Sequence, residues 1–418
     1  NSKPSISQLA DKVAAIFVPV VLVIAVVTGL VWYFLGPQPV LTYSFVSAVS
    51  VLIIACPCAL GLATPISVMI GVGKAAQMGV LVRNAEALQQ ASHIDWVVLD
   101  KTGTITQGHP SVEAFATFNG ADEVQSLALA ENIEQASEHP IARAIVAHCQ
   151  QQLPFESLNF SVKLSAEHFT SVQGMGVVSG DLVMGNVSLM QAHKIDIGAA
   201  QVWLRAQEDA ARSIVLLAHY GQLIVGFALE DALKTDSVKA VQRLKAQGIK
   251  VMMLTGDNQA AAQRVAHLVA VDDFAAQLMP EDKLNKIKQL QTQGQVVAMV
   301  GDGINDAPAL SQADVGIAMG QGTDVAIESA DLCLLNSSLH GVADAIELSY
   351  STMRNIKQNL WGAFTYNTLG IPIAAGVLFP FTGMLLSPML AALAMSLSSV
   401  TVVANANRLR WFKTSARD

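Results

Sequence analysis

The sequence predicts a multi-domain membrane protein with an α-helical transmembrane bundle and a cytosolic α/β domain that carries an inserted α+β domain. Two observations support this fold class. Apolar stretches without charged residues lie near both ends of the chain, and strand-like runs alternate with helical patterns between them. The 418 residues are 52% hydrophobic and 14% charged. This composition is too apolar for an ordinary soluble enzyme and too polar for a protein confined to a membrane.

Charge and cysteine content restrict the partners and the compartment. The net charge of −8 comes from acidic residues spread along the middle of the chain without a basic stripe, so nucleic acid is not expected as a partner. Two of the four cysteines lie in an apolar stretch and two are isolated, which does not predict a disulfide framework, so the soluble part is expected in the cytosol. Residues 1–12 form a polar cytosolic lead-in without a signal-peptide pattern or a starting Met, as expected for a fragment or a processed piece.

Each apolar stretch is long enough to cross a bilayer twice, because one crossing needs about 20 residues. Breakers at residues 36–39 and 379–383 divide the two stretches. The turns there carry no Lys or Arg, whereas basic residues flank the other ends, so the positive-inside rule places both termini, including the tail 405–418, in the cytoplasm. Four transmembrane helices are therefore predicted, at residues 13–35, 40–72, 359–380 and 384–404.

Strand-like runs in the central region end in a polar residue or lead into Gly, and a helical pattern follows. Examples are residues 96–100, 251–255 and 296–300. This alternation predicts a parallel α/β sheet, assigned to residues 74–107 and 225–350. Residues 108–224 interrupt the rhythm with Gly-containing turns and short apolar strands, and they are predicted to form the inserted domain.

A Cys56-Pro57-Cys58 triplet lies inside the second predicted transmembrane helix. Pro57 removes one backbone donor and frees the carbonyl near Ile53, and in lipid such a break is tolerated only where it faces protein or a polar cavity. Thiols are soft ligands that suit Cu(I) or Ag(I). Pro kinks and apolar Cys residues are also common in membrane helices, so the triplet alone leaves both interpretations open.

The strongest catalytic signal is Asp100-Lys101-Thr102-Gly103-Thr104, which directly follows a predicted strand. An open α/β sheet places its active-site loops at such strand ends. The Asp100 carboxylate is a candidate nucleophile for phosphoryl transfer, with Thr104 and the loop amides holding phosphate oxygens and Mg²⁺ offsetting the charge. A solvated turn is the alternative for a lone Asp, but five matched residues in order disfavour it.

A second motif, Gly301-Asp302-Gly303-Ile304-Asn305-Asp306, follows another strand. It supplies the hard oxygen ligands that Mg²⁺ prefers, and Asp302 is the first candidate ligand. Asn305 and Asp306 are predicted to orient the phosphoryl oxygens. Asp306 can also cap the helix that follows, and the two roles are compatible.

A third strand ends in Thr255, Gly256 and Asp257, where the Thr255 hydroxyl is placed to bond a phosphoryl oxygen. The three strand-end motifs together resemble those of P-type ATPases, whose phosphorylation domain resembles the haloacid dehalogenase fold, and the resemblance covers nearly the entire chain. Phosphatases of that wider superfamily usually carry a second Asp two residues after the nucleophile, where this chain has Thr102. This difference fits a phosphorylated intermediate that persists until another event.

The resemblance implies ATP and Mg²⁺ as cofactors and makes the α/β domain a phosphorylation domain. It gives Lys283 the role of neutralising charge in the transition state, although an isolated Lys is usually a solvated one. The implied Mg²⁺ ligands are Asp100, Thr102 and Asp302. The implied catalytic residues are Asp100, Lys101, Thr102, Thr104, Thr255, Gly256, Asp257, Lys283, Asn305 and Asp306.

Within the insert, Ser137-Glu138-His139-Pro140 resembles the nucleotide-binding signature of the heavy-metal (type IB) branch of that family. Pro140 disfavours a helical His139 and suits the first position of a new helix, so the imidazole can project toward an adenine ring. Lone His residues and Gly pairs are weak signals, since both are more often structural. The resemblance implies an adenosine site lined by Glu134, His139, Gly174, Gly176, Gly185 and Asn186.

Polar and sulfur-bearing residues in the last two predicted spans match the pattern of Cu(I)-transporting members. A thioether is a soft ligand, and residues 358–407 contain no acid or base to serve a harder divalent ion. Each residue has a structural alternative, as a packing or interhelical hydrogen-bonding group. The implied Cu(I) ligands are Cys56, Cys58, Tyr366, Asn367, Met395 and Ser399.

The resemblance therefore implies ATP-driven export of Cu(I) through an aspartyl phosphate, in an integral protein of a bacterial inner membrane that contacts lipid and a soluble copper chaperone. The sequence lacks the Thr-Gly-Glu loop of an actuator domain, so the chain is expected to bind nucleotide but not to complete a transport cycle alone. Three alternatives remain: a Zn(II) or Cd(II) pump, a membrane-anchored haloacid dehalogenase-like phosphatase, and a metal-binding membrane scaffold without enzymatic activity.

Overall fold

The structure is a computed structural model, and it describes residues 5–415 except for residues 57, 138, 154–168, 173, 211, 258 and 321. The described chain begins with three apolar helices, α1 (Ser5–Leu35), α2 (Val40–Ile54) and α3 (Cys58–Gln77). The second predicted span, 40–72, is therefore two helices. The amide of Cys56 donates to the carbonyl of Ile53 at 3.2 Å. The carbonyl near Ile53 that was expected to be free therefore accepts a hydrogen bond within a tighter turn.

The soluble part begins with β1 (Val80–Val82), α4 (Ala85–Gln90) and β2 (Trp96–Asp100), and a second unit interrupts it after β2. The interrupting unit consists of β3 (Ser111–Thr117), α5 (Glu123–Glu134), α6 (Pro140–Gln152), β4 (Phe169–Val172), β5 (Gly176–Ser179), β6 (Leu182–Gly185), α7 (Val187–Ala192), α8 (Gln201–Asp209), β7 (Ser213–His219) and β8 (Gln222–Glu230).

The strands of this unit form one antiparallel sheet in the order β3-β8-β7-β6-β5-β4. Helices α5 and α6 share a buried cluster with the sheet around Ile133, Ile145 and Phe227, and α7 and α8 share a second cluster around Met190 and Leu204. The predicted limit of the insert at residue 224 falls inside β8, which pairs with both β3 and β7. We therefore move the proposed domain boundary to the end of β8.

The chain then returns to the first sheet and adds alternating helices and strands. These are α9 (Ser237–Ala246), β9 (Lys250–Leu254), α10 (Gln259–Val269), β10 (Asp273–Ala275), α11 (Pro280–Thr292), β11 (Val297–Gly301), α12 (Ala307–Gln312), β12 (Val315–Met319), α13 (Asp324–Ser329) and β13 (Leu332–Leu334).

The first sheet has the order β1-β13-β12-β11-β2-β9-β10, and every neighbouring pair is parallel except β1 with β13. Successive residues of β2 pack on opposite faces, Val97 and Leu99 in one buried cluster and Val98 in another, as expected for a parallel sheet covered on both sides. This confirms the predicted α/β fold. Because β2 lies between β9 and β11, the loops that follow these three strands meet at one edge.

The C-terminal helices are α14 (His340–Ala374), α15 (Phe379–Thr382) and α16 (Pro388–Asn407). Helix α14 has 35 residues and belongs to both parts of the protein. Val342 and Ala343 near its start are fully buried in the core of the α/β sheet, whereas Ile371 near its end packs with Ile54 of α2. The third predicted span, 359–380, corresponds to the second half of this helix, which ends at Ala374 rather than at residue 380.

A buried amide network ties α3, α14 and α16 together. Ser67 donates to Asn355 Oδ1 at 2.9 Å, and Asn359 Nδ2 donates to Ser67 Oγ at 3.2 Å. Asn355 Nδ2 donates to the carbonyl of Asn405, and Asn405 Nδ2 donates to Asn359 Oδ1, both at 2.8 Å. Satisfied buried networks of this kind fix one arrangement of the helices that carry them.

Two helices of the described chain are long and apolar enough to cross a membrane, at Ala14–Leu35 and Pro388–Trp411. Val40–Ile54 is apolar but shorter. Length and composition therefore support the first and fourth of the four predicted spans. The second is divided by the break after Ile54, and the third shares its helix with the soluble core.

Candidate functional site

The loop after β2 turns sharply back at a glycine. Gly103 has φ +69°, a conformation that side-chain-bearing residues rarely adopt. A Cβ at this position would lie 1.6 Å from Oδ2 of Asp302, so the backbone of the first loop is in direct contact with the carboxylate that follows β11. Glycine is therefore required both for the turn and for this close approach.

Asp100 ends β2 and is buried, with 5% of its surface exposed. Lys283, in the first turn of α11, places Nζ 2.5 Å from Asp100 Oδ1 and 2.8 Å from Asp306 Oδ1. Lys283 and Asp306 are also buried, at 6% and 2% exposure. The predicted cation thus lies directly against the predicted nucleophile, and two of the three strand-end motifs meet at one ammonium group.

Oxygen atoms of Asp100, Asp302 and Asp306 lie within 4.8 Å of one another. Burial, followed by the charge of Asp306, raises the pKa of Asp100 to about 7 despite the opposing effect of Lys283. Burial and Asp306 likewise raise the pKa of Asp302 to about 6. Burial opposes the charge on Lys283, but the two carboxylates that it contacts raise its pKa. Three carboxylates with one contacting ammonium form a site with excess negative charge.

These residues fit Mg²⁺, which prefers carboxylate oxygens and leaves ligand positions for water and phosphate. The Thr104 side chain is fully buried, and its Oγ1 has no hydrogen-bond partner within the described residues. An unsatisfied buried hydroxyl on the loop that begins at Asp100 fits a site that is completed by a ligand. The side chain of Thr102 is exposed, so its place among the Mg²⁺ ligands remains a prediction.

The remaining predicted residues lie on the loops that follow β2, β9 and β11. Thr255 is buried at 2% exposure, and its Oγ1 accepts the amide of Asp257 at 3.1 Å. The Lys101 ammonium forms an ion pair with the Asp257 carboxylate, which joins the first loop to the third. Asn305 is exposed in the short turn before Asp306, so the structure does not include it in the buried cluster.

Sequence reasoning missed the segment that follows β8. Asp231 accepts from the Thr106 hydroxyl at 2.6 Å and from the Gly108 amide at 3.0 Å. Lys234 Nζ donates to the carbonyl of Gly103 at 2.6 Å. In the sequence, Asp231 and Lys234 are recognisable only as an acid and a base that follow a strand-like run. Their position beside the first loop becomes visible only in the fold.

The six residues predicted to hold adenosine line one cavity of about 490 Å³ in the insert. The positions of two of them explain why they are glycines. Gly176 and Gly185 pair across β5 and β6, and a Cβ on Gly176 would lie 2.2 Å from the carbonyl of Met184. The other four lining residues from the prediction are Glu134, His139, Gly174 and Asn186.

His139 is the N-cap of α6 and has an extended backbone, as the following proline predicted. Its Nδ1 accepts the amide of Ile141 at 3.2 Å, which leaves Nε2 to carry the proton of a neutral ring. Burial lowers the pKa of His139 and raises the pKa of Glu134 to about 7. Both groups therefore favour their neutral forms, which suits the face of an uncharged base.

A second cavity of about 310 Å³ adjoins the first and reaches the loop that follows Asp100. His139, Ser213 and Asp257 line both cavities, and Lys101 and Thr102 line the second. A nucleotide whose base occupies the first cavity can therefore extend its phosphates toward the loop of Asp100.

The predicted Cu(I) ligands are only partly brought together. Cys56 is half-buried and packs in one apolar cluster with Met395, which is 8% exposed. Asn367 is buried, and its Oδ1 has no hydrogen-bond partner within the described residues. Tyr366 is 46% exposed and Ser399 is half-buried. The side chain of Cys58 lies outside the described part of the structure, as do Pro57 and Glu138.

Cys56 is disulfide-bonded in the structure, whereas Cys149 and Cys333 are free and buried. Because a thiolate is the metal ligand, Cu(I) binding at Cys56 requires the reduced chain.

Known proteins share both the sequence and the fold. The family of haloacid dehalogenase-like hydrolases matches residues 94–314. The chain is 50% identical over 99% of its length to a copper-exporting P-type ATPase of Vibrio cholerae serotype O1, and 45% identical over 98% to a silver exporting P-type ATPase of Salmonella typhimurium. It spans 45% and 49% of these two proteins, which is about half of their length.

Solved structures are similar to this chain as well. A zinc-transporting PIB-type ATPase in its E2.Pi state has a TM-score of 0.76 and 34% identity, covering 96% of this chain and 63% of that one. The catalytic domain of the CPx-ATPase CopB-B has a TM-score of 0.52 and 27% identity, covering 66% of this chain and 98% of that one. The fold, the carboxylate cluster and the family match define a haloacid dehalogenase-like hydrolase. Within that group, the chain belongs to the heavy-metal P-type ATPases.

Proposed function

We propose that the protein takes part in ATP-driven export of Cu(I) across a membrane, with Asp100 as the residue that is phosphorylated. The observation that carries this proposal is the position of Asp100. Its buried carboxylate contacts Lys283, lies in a carboxylate cluster and directly precedes the loop that lines the cavity next to the proposed nucleotide site. The copper, silver and zinc transporters that the chain resembles support a heavy-metal substrate.

In the proposed reaction, an Asp100 carboxylate oxygen attacks the γ-phosphorus of ATP, the bond to the β-γ bridging oxygen breaks, and ADP leaves with that electron pair. Lys283 offsets negative charge around the attacking carboxylate, and Thr104 and Thr255 offer hydroxyl groups to the phosphoryl oxygens. Mg²⁺, held by Asp302 and Asp306 with Asp100, would supply Lewis-acid stabilisation of the phosphoryl charge.

The cavity in the insert is the proposed adenosine site, and Glu134 is expected to act there as a neutral acid. A protonated carboxyl can donate to N1 of adenine and accept from its amino group, whereas a carboxylate would repel the N1 lone pair. Since burial raises the pKa of Glu134 to about 7, the neutral form is lost as the pH rises through that value.

We therefore expect the ATP dissociation constant of the wild-type chain to rise about tenfold per pH unit above neutrality, because one proton must be bound for tight binding. Glu134→Gln keeps both hydrogen-bonding functions without titrating, so its affinity should be nearly independent of pH. Isothermal titration calorimetry between pH 6 and pH 9 measures this difference. Glu131→Gln, on the same helix but outside the cavity, should behave like the wild type. Equal pH dependence in all three chains would contradict the assignment.

The proposed Cu(I) site lies at the break between α2 and α3. Cys56 and Met395 supply soft sulfur, and the buried Oδ1 of Asn367 lies on the helix that packs against Ile54. A Cβ on Gly370 would lie 2.7 Å from Cδ1 of Ile54, so α14 approaches the break closely. Residues Cys58, Tyr366 and Ser399 complete the proposed ligand set.

Replacing Met395 with leucine is expected to weaken Cu(I) binding by at least about tenfold, because the substitution keeps the volume but removes one soft ligand. Met389→Leu is the matched control, since Met389 is on the same helix and is 82% exposed. The measurement is competition with a chromophoric Cu(I) chelator, using detergent-solubilised protein kept under a thiol-free reductant. Equal affinity of both variants would remove Met395 from the ligand set, and stoichiometric Zn(II) binding that resists Cu(I) would favour a zinc pump.

The domain assignment and location follow from the same proposal. Residues 74–107 together with those after Glu230 form the phosphorylation domain, and the intervening unit binds nucleotide. The domains and both termini lie in the cytoplasm, the apolar helices contact lipid, and a soluble copper chaperone delivers the ion. The flanking basic residues and the apolar lengths of α1 and α16 support this arrangement.

A further inference from the structure

We propose that Lys234 is a positioning residue that links the phosphorylation state of Asp100 to the start of α14. This inference rests on the proposed function, because it assigns a route by which phosphorylation reaches the membrane helices. The Lys234 ammonium donates to two carbonyl groups. One belongs to the loop that follows Asp100, and the other belongs to the segment directly before α14.

On the side of the loop, Lys234 Nζ donates to the carbonyl of Gly103 at 2.6 Å. The same segment holds the loop at the next turn, since the Lys234 amide and the Ser237 hydroxyl both donate to the carbonyl of Ile105, at 3.0 and 2.6 Å. Gly103 in turn touches the carboxylate of Asp302. A change at Asp302 therefore acts directly on the backbone group that Lys234 holds, and a change at Asp100 acts through Asp302, since oxygen atoms of the two carboxylates lie within 4.8 Å of each other.

On the side of the helix, Lys234 Nζ also donates to the carbonyl of Ser337 at 3.1 Å. Ser337 has φ +47°, and such a left-handed residue needs support from its surroundings. A second contact reinforces the first, because Ser338 Oγ donates to the carboxylate of Asp236 at 2.5 Å. Leu339 follows as the N-cap residue of α14 and is fully buried.

Helix α14 then runs without interruption from this contact to the break between α2 and α3, where the proposed Cu(I) site lies. Its early residues are fixed in the soluble core, and Gly370 packs against Ile54, two residues before Cys56. A displacement at Ser337 is therefore carried along a rigid element to the proposed ligands. This route differs from the direct chain connection through α3, because it passes through a side-chain contact that a single substitution removes.

The charge of the loop sets which acceptor Lys234 favours. The ammonium is half-buried and close enough to Asp302 and Asp236 to interact with both charges. A phosphoryl group on Asp100 adds negative charge on the side of Gly103. The ammonium is then drawn toward the loop and away from the carbonyl of Ser337, which loosens the start of α14.

Hydrogen exchange measured by mass spectrometry tests this inference on the full chain, in peptides that cover residues 101–106 and 335–345. Lys234→Met is compared with Lys234→Arg, which keeps the charge, and with Lys239→Met, an exposed lysine on the adjoining α9. In the resting state, Lys234→Met should speed exchange in both peptides by about tenfold, since a charged hydrogen bond is lost at each. The arginine variant should show smaller changes and Lys239→Met none.

The same peptides are then followed after addition of Mg²⁺ and beryllofluoride, a stable mimic of a carboxyl-bound phosphoryl group. In the wild type, exchange should slow in the loop peptide and speed up at the start of α14, and the second change should be absent from Lys234→Met. Protection of the loop without any change at residues 335–345 would overturn the inference and leave the proposed function intact. Absence of loop protection in the wild type would count against phosphorylation of Asp100 itself, and against the inference with it.

Discussion

Replacing Asp100 with asparagine is expected to abolish covalent labelling of the chain by γ-labelled ATP. The asparagine side chain matches the aspartate in size but has no carboxylate oxygen to attack phosphorus, and the described carboxylates nearest to it, Asp302 and Asp306, lie on another loop. The label is trapped by acid quenching, and treatment with hydroxylamine identifies an acyl phosphate. The wild type should lose its label on this treatment, and the variant should take none.

That comparison requires that the Asp100→Asn chain is folded. Burial already favours the neutral form of Asp100, so a neutral isostere does not introduce a new buried charge. Thermal unfolding and ATP binding should therefore remain close to those of the wild type, because the insert supplies all residues that line the adenosine cavity except Asp257. A variant that is folded, binds ATP and still carries a hydroxylamine-sensitive label would exclude Asp100 as the phosphorylated residue.

Replacing Lys283 with methionine is expected to lower the rate of phosphorylation by about 100-fold, the usual scale for loss of one group that stabilises transition-state charge. The substitution removes the ammonium that lies 2.5 Å from Asp100 and 2.8 Å from Asp306, and leaves their buried carboxylates against an apolar side chain. Rapid-quench labelling gives the rate. Lys288→Met, at an exposed position on the same helix, should leave the rate unchanged.

The pH profile separates this electrostatic role from simple disruption of the fold. Burial and Asp306 hold the pKa of Asp100 near 7, and Lys283 opposes them. Without Lys283 the pKa of Asp100 rises further, so the reactive carboxylate forms at a higher pH and the rising limb of the rate profile moves upward. A slower variant with an unshifted profile would indicate structural damage instead of lost charge compensation.

The arrangement of the proposed phosphorylation site was predictable because it depends on strand ends. Asp100, Thr255 and Asp302 each follow an apolar run, and parallel strands direct their carboxyl ends to one edge. The sequence pattern therefore predicted that these three residues lie at one edge of the sheet. The position of His139 at a helix start was predictable for a local reason as well, since Pro140 constrains the residue that precedes it.

Other features depend on tertiary contacts that sequence patterns do not contain. The contacts of Lys234 join segments that are 131 and 103 residues apart, and nothing near Lys234 in the sequence identifies its two carbonyl acceptors. The limit of the insert was misplaced because an apolar run predicts a strand but not the sheet to which it belongs. The break after α2 was predicted only as a kink. A proline in the sequence indicates that one backbone hydrogen-bond donor is missing, but it does not indicate the tighter turn between Ile53 and Cys56.

The central claim is that the membrane cysteine site and Asp100 belong to one metal-driven cycle. Its most direct test is acid-quenched labelling of the reduced wild-type chain with γ-labelled ATP and Mg²⁺, in the presence of Cu(I), of Zn(II) or of a metal chelator. We expect a hydroxylamine-sensitive label that increases with Cu(I), does not increase with Zn(II), and loses its dependence on Cu(I) in Cys56→Ser. Labelling that is equal with and without Cu(I), or that only Zn(II) increases, would contradict the account.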